Sequence, residues 1–278
     1  SYNTMAAHAH YDDLYRVGAS WLDSIGISVT GDVKKSDGYR NQYYVTSFSS
    51  GAGTVPVTGW EKTTGTTGSA SYLLGDMGEN TWEQSRAGAK LYLNFSSDTS
   101  LVLTYGFSHY AYDYEDARSY LRDASGNPVT SGKVQIDDGG SSYNKTISEY
   151  SFTAGPGENT RHMSYAKFST KFGEALFMAS AGYNRGDSWY MTPSSGGTLD
   201  GGKGSKSSTN PKETLFLDTQ LDIPFTIPML TKSWITVGAS HRQDHAEAEE
   251  WNITDWSDEH SSRTSQISAI RGRQRLEA

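Results

Sequence analysis

The segment from residue 86 to residue 107 reads RAGAKLYLNFSSDTSLVLTYGF and alternates apolar with small or polar side chains in both halves. A period of two predicts β-strands. The intervening SSDT is long enough only for a tight reversal, so the two strands are expected to be antiparallel neighbours. One face of such a hairpin tolerates water, and the other needs an apolar medium or a packing partner. That second face carries Ala87, Ala89, Leu91, Leu93, Phe95, Leu101, Leu103, Tyr105 and Phe107.

Three further hairpins show the same alternation. The first has a predicted tight turn at residues 22–24, the third turns at residues 173–174, and the fourth turns between residues 224 and 231. A weaker strand candidate lies near residues 263–270. The pattern predicts an all-β protein with about eight or nine antiparallel strands of roughly ten residues, long enough to cross a bilayer when tilted.

Long polar spans separate the predicted hairpins and are rich in Gly, Ser and Thr. In an up-and-down meander, short turns that alternate strictly with long spans place all turns at one end and all long loops at the other. This asymmetry is typical of outer-membrane β-barrels, which have short periplasmic turns and longer extracellular loops. A sheet that spans lipid has to close, because lipid cannot satisfy the backbone groups of an open edge. The predicted loops cover residues 34–84, 108–159, 186–211 and 242–262.

The composition agrees with a sheet between a wet and an apolar medium. Only 35% of the 278 residues are hydrophobic, whereas aromatic residues reach 12% with 18 Tyr and 7 Trp, whose apolar bodies and polar tips suit such a boundary. The net charge of −8 argues against a nucleic-acid partner. The absence of Cys excludes disulfides and thiolate chemistry.

Four segments resemble the early barrel region of TonB-dependent outer-membrane receptors. The resemblance covers most of the chain and lies in the general sequence pattern and in the order of the segments. Its specific points are Gly38-Tyr39-Arg40 after the second strand, the DASGNPV stretch at residues 123–129 and a strand that begins LFLDTQLDIPF. The segments are SIGISVTGDVKKSDGYRNQ, EQSRAGAKLYLNFSSDTSLVLTYGFSHYAYDYEDA, SYLRDASGNPVTSG and TLFLDTQLDIPFTIPMLTKSWITVGASHRQD.

Receptors of this family are 22-stranded barrels closed by an N-terminal plug, and they import ferric siderophores, haem, cobalamin or other scarce nutrients with energy passed through TonB. The sequence shows no plug, no TonB box and no final strand ending in an aromatic residue. The resemblance therefore implies that residues 1–278 are a partial barrel domain in a bacterial outer membrane. It implies three partners and no cofactor: outer-membrane lipid, the TonB complex through the missing plug, and a small nutrient such as a ferric siderophore.

Candidate ligand-binding residues are the aromatic side chains expected on the extracellular loop side. The run from His109 to Asp116 could grip a ligand by stacking, although its tyrosines also fit an interfacial aromatic girdle, which is the favoured interpretation. The candidates are Tyr39, Trp60, Tyr110, Tyr112 and Tyr114. Imidazole and carboxylate groups also make His241, Asp244 and His245 weak metal candidates, but a solvated acidic loop is favoured there and we expect no metal site.

No Ser–His–Asp order or HExxH sequence is present, so an enzyme is not expected. The sequence favours a non-enzymatic transport receptor in which one face of every hairpin meets lipid. A secreted or surface β-sandwich or solenoid that binds a partner is one alternative, and a passive porin-like channel is another. The residues predicted to face lipid are Ala87, Leu91, Leu93, Leu101, Leu103 and Val237.

Overall fold

The computed structural model describes residues 3–66, 68–226 and 233–277. Within these ranges the chain forms seventeen β-strands and one short 3₁₀ helix, η1 (Glu149–Phe152). None of the described helical structure is long and apolar enough to cross a membrane. The strands are β1 (Thr4–Ala19), β2 (Leu22–Ser36), β3 (Tyr43–Thr46), β4 (Ser49–Ser50), β5 (Val55–Pro56), β6 (Glu61–Thr64), β7 (Ala70–Asp76), β8 (Glu79–Asn94), β9 (Thr99–Glu115), β10 (Arg118–Ser119), β11 (Gly132–Asp138), β12 (Ser141–Ile147), β13 (Gly157–Phe172), β14 (Ala175–Thr198), β15 (Gly201–Phe225), β16 (Ser233–Ile253) and β17 (Arg263–Glu277).

Nine of these strands form one large antiparallel sheet, which we call the main sheet. Their order is β1-β2-β8-β9-β13-β14-β15-β16-β17, so each strand pairs with the main-sheet strands before and after it in the chain. The prediction of an all-β, antiparallel, up-and-down meander is confirmed. In the part of the chain that the structure describes, the edge strands β1 and β17 do not pair with each other, and the main sheet is open.

The turns β1–β2, β8–β9 and β13–β14 lie at one end of the main sheet, and the two-residue turn between β14 and β15 lies at the other. The third turn falls at residues 173–174, as predicted. The first was predicted at residues 22–24 but lies between Ala19 and Leu22, because the register shifts after Arg16 and Gly18 takes a positive φ of 65°. The fourth predicted turn, at residues 224–231, falls largely outside the described residues.

Two of the predicted long loops are mostly strand. The loop predicted at residues 186–211 is wrong, because β14 and β15 continue through it for 24 and 25 residues and leave only residues 199 and 200 between them. Register shifts in this hairpin absorb the Gly- and Ser-rich sequence without ending the pairing. Likewise β16 extends to Ile253, so residues 254–262 are the connection to β17 rather than residues 242–262.

The other two predicted loops fold into a unit with its own core. Residues 37–78 and 116–156, which we call the loop domain, form one small sheet of β3, β6, β7 and β10 and another of β4, β5, β11 and β12. Leu199, at the tip of the β14–β15 hairpin, packs against this core. Long connections at this end of the sheet are therefore ordered by burial of apolar side chains. The buried core residues are Val57, Tyr72, Leu74, Leu121, Val134, Ile136, Ile147 and Phe152.

The main sheet has one apolar and one mixed, mostly polar face. Directly paired residues in an antiparallel sheet point to the same side. The register therefore places all six residues predicted to face lipid on one side, which we call the apolar face. Lys90, Arg161 and Lys212 lie on the opposite side, which we call the polar face.

Candidate functional site

Four aromatic side chains follow one another along the polar face where β8 and β9 approach the loop domain. Alternate residues of β9 share a face, and Trp82 joins them because it pairs with Tyr112. Ring centroids are 6.3 Å apart for Trp82 and Tyr110, 5.9 Å for Tyr110 and Tyr112, and 6.1 Å for Tyr112 and Tyr114. We call these four residues the aromatic ladder.

The aromatic ladder points away from the apolar face. Leu103 of β9 is an odd-numbered residue on the apolar face, whereas the three ladder tyrosines of β9 occupy even positions. The tyrosines therefore share a face with Lys90, and an interfacial girdle would require that face to meet lipid. Their alternative role, contact with a ligand on the loop side, remains a prediction.

The ladder is held by glycine on one side and by the loop domain on the other. The Tyr112 ring lies over Gly157, where an added Cβ would come within 2.6 Å of Tyr112 Oη. Gln42 Nε2 of the loop domain donates a hydrogen bond of 2.7 Å to Tyr114 Oη. The carbonyl oxygen of Tyr39 accepts a hydrogen bond of 3.0 Å from the Asn80 N–H, and Asn80 is the cross-strand partner of Tyr114. Four of the five predicted ligand-binding residues therefore lie near one another.

A buried ionic cluster fixes the loop domain where it meets β8 and β9. Asp76 is 1% exposed, forms an ion pair with Arg40, and accepts hydrogen bonds from Tyr120 Oη at 2.7 Å and from the Gly78 N–H at 2.9 Å. Arg40 also donates to the Asp116 carbonyl oxygen at 3.0 Å. Burial and the hydrogen bond to Asp76 raise the pKa of Tyr120 from 10 to about 12, so its hydroxyl remains a donor even in mildly alkaline solution. The cluster joins both connections that build the loop domain.

Trp60 belongs to a different environment. Its ring packs edge-on against Tyr72 at 5.4 Å between centroids, beside the loop-domain core. The structure therefore gives Trp60 a packing role in the loop domain. Sequence reasoning missed Trp82, although counting in steps of two from Lys90 along β8 would have placed it on the same face.

The three weak metal candidates do not form one ligand set. His241 and His245 pair with Leu217 and Glu213 on one side of the main sheet, whereas Asp244 projects from the other. Asp244 accepts a hydrogen bond of 2.6 Å from Thr214 Oγ1. Within residues 3–66, 68–226 and 233–277, no group of three or more His, Cys, Asp or Glu side chains could hold a metal ion.

The aromatic ladder offers flat ring faces and phenol hydroxyls on an otherwise mixed polar surface. Such groups can stack on a planar ligand and hydrogen-bond its polar edge. No known protein family, curated protein or solved structure matches this chain. What the chain does is therefore inferred from its two sheet faces, the aromatic ladder and the loop domain.

Proposed function

We propose that this chain is part of a transmembrane β-barrel of a bacterial outer membrane and serves as a receptor and transporter for a scarce nutrient. The exposed apolar face carries this proposal. Val29, Leu103 and Val237 are 46%, 39% and 59% exposed although they lie on one continuous sheet face. Soluble monomers rarely expose contiguous apolar surface on this scale. Lipid would cover it and leave the polar face to water.

The loop-end boundary of the apolar face runs diagonally across the main sheet. On β16 the last apolar residue before this boundary is Ala239, which lies in the same row of cross-strand partners as Ile25 of β2. On β2 the corresponding residue is Val33, eight positions beyond Ile25 and six strand steps from β16. At ~3.3 Å per residue along a strand and ~4.8 Å between strands, the boundary shifts by eight residues over six strand steps. It is therefore inclined by roughly 40° to the rows of cross-strand partners.

That tilt supports a planar apolar medium crossed by inclined strands. Strands of outer-membrane barrels are inclined by about 35–45° to the membrane normal. A flat slab of hydrocarbon crossed by inclined strands requires the change from apolar to polar to shift across the sheet, as it does between β2 and β16, while neighbours such as β8 and β9 change at the same row. In this arrangement the polar face lines the barrel lumen, and the loop domain lies outside the cell.

The receptor role follows from what the polar face and the loop domain present to that lumen. The aromatic ladder lies beside the loop domain, where a ligand entering from outside would meet it first. By its resemblance to TonB-dependent receptors, the barrel wall would admit a nutrient such as a ferric siderophore when a plug coupled to TonB moves. A folded loop domain beside the ladder favours capture of a ligand over passive diffusion through a porin-like channel.

Spin labels on both faces of the same strands test the proposal. Labels at Leu91 and Leu103 should collide with oxygen dissolved in the hydrocarbon of vesicles and remain protected from a water-soluble nickel reagent. Labels at the neighbouring polar-face positions Lys90 and Thr104 should show the reverse. Immobilised apolar-face labels buried in protein would contradict the proposal, and a chain that melts cooperatively in buffer without detergent would support the secreted β-protein instead.

A further inference from the structure

A row of three cationic side chains crosses the polar face next to the aromatic ladder. Arg86 of β8, Arg161 of β13 and Lys212 of β15 are linked through their shared cross-strand partners Ser108 and Gly186. Two strand spacings separate successive cations, which puts their Cα atoms about 10 Å apart. Because the intervening residues are small, they leave a depression of about 460 Å³ bounded by Arg161 and Lys212.

The charge around this row is opposite to that of the whole chain. The chain carries a net charge of −8. Four consecutive rows of cross-strand partners on the polar face, from the row that contains Tyr110 to the row that contains Lys90, nevertheless hold six cations and three carboxylates. These rows therefore carry an excess of three positive charges. The cations are Lys34, Arg86, Lys90, Arg161, Lys212 and Arg242, and the carboxylates are Asp12, Asp32 and Asp244.

Arg161 connects the cationic row with the aromatic ladder. Its Nε donates a hydrogen bond of 3.1 Å to Asn159 Oδ1, and Asn159 is the direct cross-strand partner of Tyr110. The guanidinium group is therefore drawn toward the level of the ladder. Its planar fork of N–H groups matches the geometry of a carboxylate, phosphate or similar oxyanion.

We propose that this surface selects anionic ligands that also carry a planar group. The planar group stacks on the aromatic ladder, and the oxyanions bind Arg86, Arg161 and Lys212 over the small residues between them. This inference rests on the proposed function, since it takes the polar face as the lumen wall. It assigns the cationic row as the part of that wall that discriminates by charge.

A planar polyanion tests this assignment directly. The probe is hydroxypyrene trisulfonate, titrated in vesicles against the full-length protein that contains this chain and followed by fluorescence anisotropy. Arg161→Gln should weaken binding about tenfold or more, because it removes charge-assisted hydrogen bonds. Arg161→Lys should retain more of the affinity than Arg161→Gln, and rising salt should weaken binding.

The matched control lies on the same face, far from the cationic row. Arg16 of β1 pairs with Ser24 at the turn end of the main sheet and does not line the depression, so Arg16→Gln should change the affinity by less than about twofold. Circular dichroism checks that each variant folds. Equal losses for the two Gln variants, or equal binding of a planar cation such as acridine orange, would overturn the proposal.

Failure of the anion proposal is distinguishable from failure of the barrel. A lipid-exposed label at Leu103, together with absence of trisulfonate binding, would leave the barrel standing and remove charge selection. A label at Leu103 that is buried in protein would remove the barrel itself, and with it the assignment of Arg161 to a lumen wall.

Discussion

Replacing Leu103 by Arg should destabilise the lipid-embedded chain by about 2–4 kcal/mol, the cost of a lipid-facing Arg near the bilayer midplane. The apolar stretch of β9 on this face runs from Leu101 to Phe107, and Leu103 lies next to its centre. Six residues at ~3.3 Å each, inclined by roughly 40°, span about 15 Å along the membrane normal. In the proposed barrel this stretch would place Leu103 inside the hydrocarbon, whereas a position at its edge would cost only about 0–1 kcal/mol.

The adjacent residue provides the control for this measurement. Thr104 projects from the polar face opposite Lys90, so Thr104→Arg enters water and should cost no more than about 1 kcal/mol of unfolding free energy, including the repulsion between the paired cations. Urea unfolding in phosphocholine vesicles, followed by tryptophan fluorescence, gives both values from the midpoints when the slopes agree. Equal costs at residues 103 and 104 would refute the assignment of the two faces. A full cost of Leu103→Arg in lipid-free buffer would place Leu103 in a protein core instead.

Three further predictions concern the loop domain and the ladder. Phe152→Ala removes a fully buried ring, should destabilise the loop domain by about 3–5 kcal/mol, and should speed amide exchange in β11 and β12 but not in the main sheet. A hydrogen bond from Lys62 at 2.6 Å holds the pKa of Asp138 below its ordinary 3.8. The pair therefore stabilises the loop domain fully above pH 3.8 and loses that effect as the pH falls from 3.8 through the lower pKa of the folded state. Asp138→Asn should therefore reduce the fall in the melting temperature of the loop domain at acid pH. An unchanged fall in the variant would contradict this. Gly157→Ala should displace Tyr112 and weaken trisulfonate binding while the melting temperature of the main sheet changes little.

The alternation of apolar and polar residues predicts the main sheet well where its two faces meet different surroundings. Leu91, Leu93, Leu101 and Leu103 alternate with polar or small neighbours, and all four lie on one face as predicted. Pattern alone misses the outer part of the β14–β15 hairpin, since its apolar residues Trp189, Tyr190 and Met191 are consecutive rather than alternating, and Met191 is buried against Ile253 and Trp256, which are distant in sequence. Its pairing depends on backbone hydrogen bonds and on contacts such as Lys206 Nζ over the Trp189 ring at 4.3 Å.

The loop domain was predictable only in part. Val134 and Ile136 alternate with polar residues ahead of Gly139 and Gly140, whose positive φ angles of 62° and 80° form the tight β11–β12 turn. That local hairpin signal was present in the sequence. The core that stabilises the hairpin joins residues from connections separated by β8 and β9, however, and no local pattern specifies which distant segments meet.

Residue type predicted three members of the aromatic ladder, and alternation along β9 puts them opposite Leu103, but only the register assigns the residues of neighbouring strands to the same faces. A slip of one residue in the pairing of β8 with β9 would put Tyr110 on the side of Leu91 and Leu103 on the side of Lys90. The lipid and ligand proposals are therefore coupled through a single register. If Leu103 meets lipid, then Tyr110 and Arg161 face the lumen; if Leu103 is buried in protein, neither residue lines one. Probing the Leu103 side chain consequently tests the premise on which the ligand-binding surface depends.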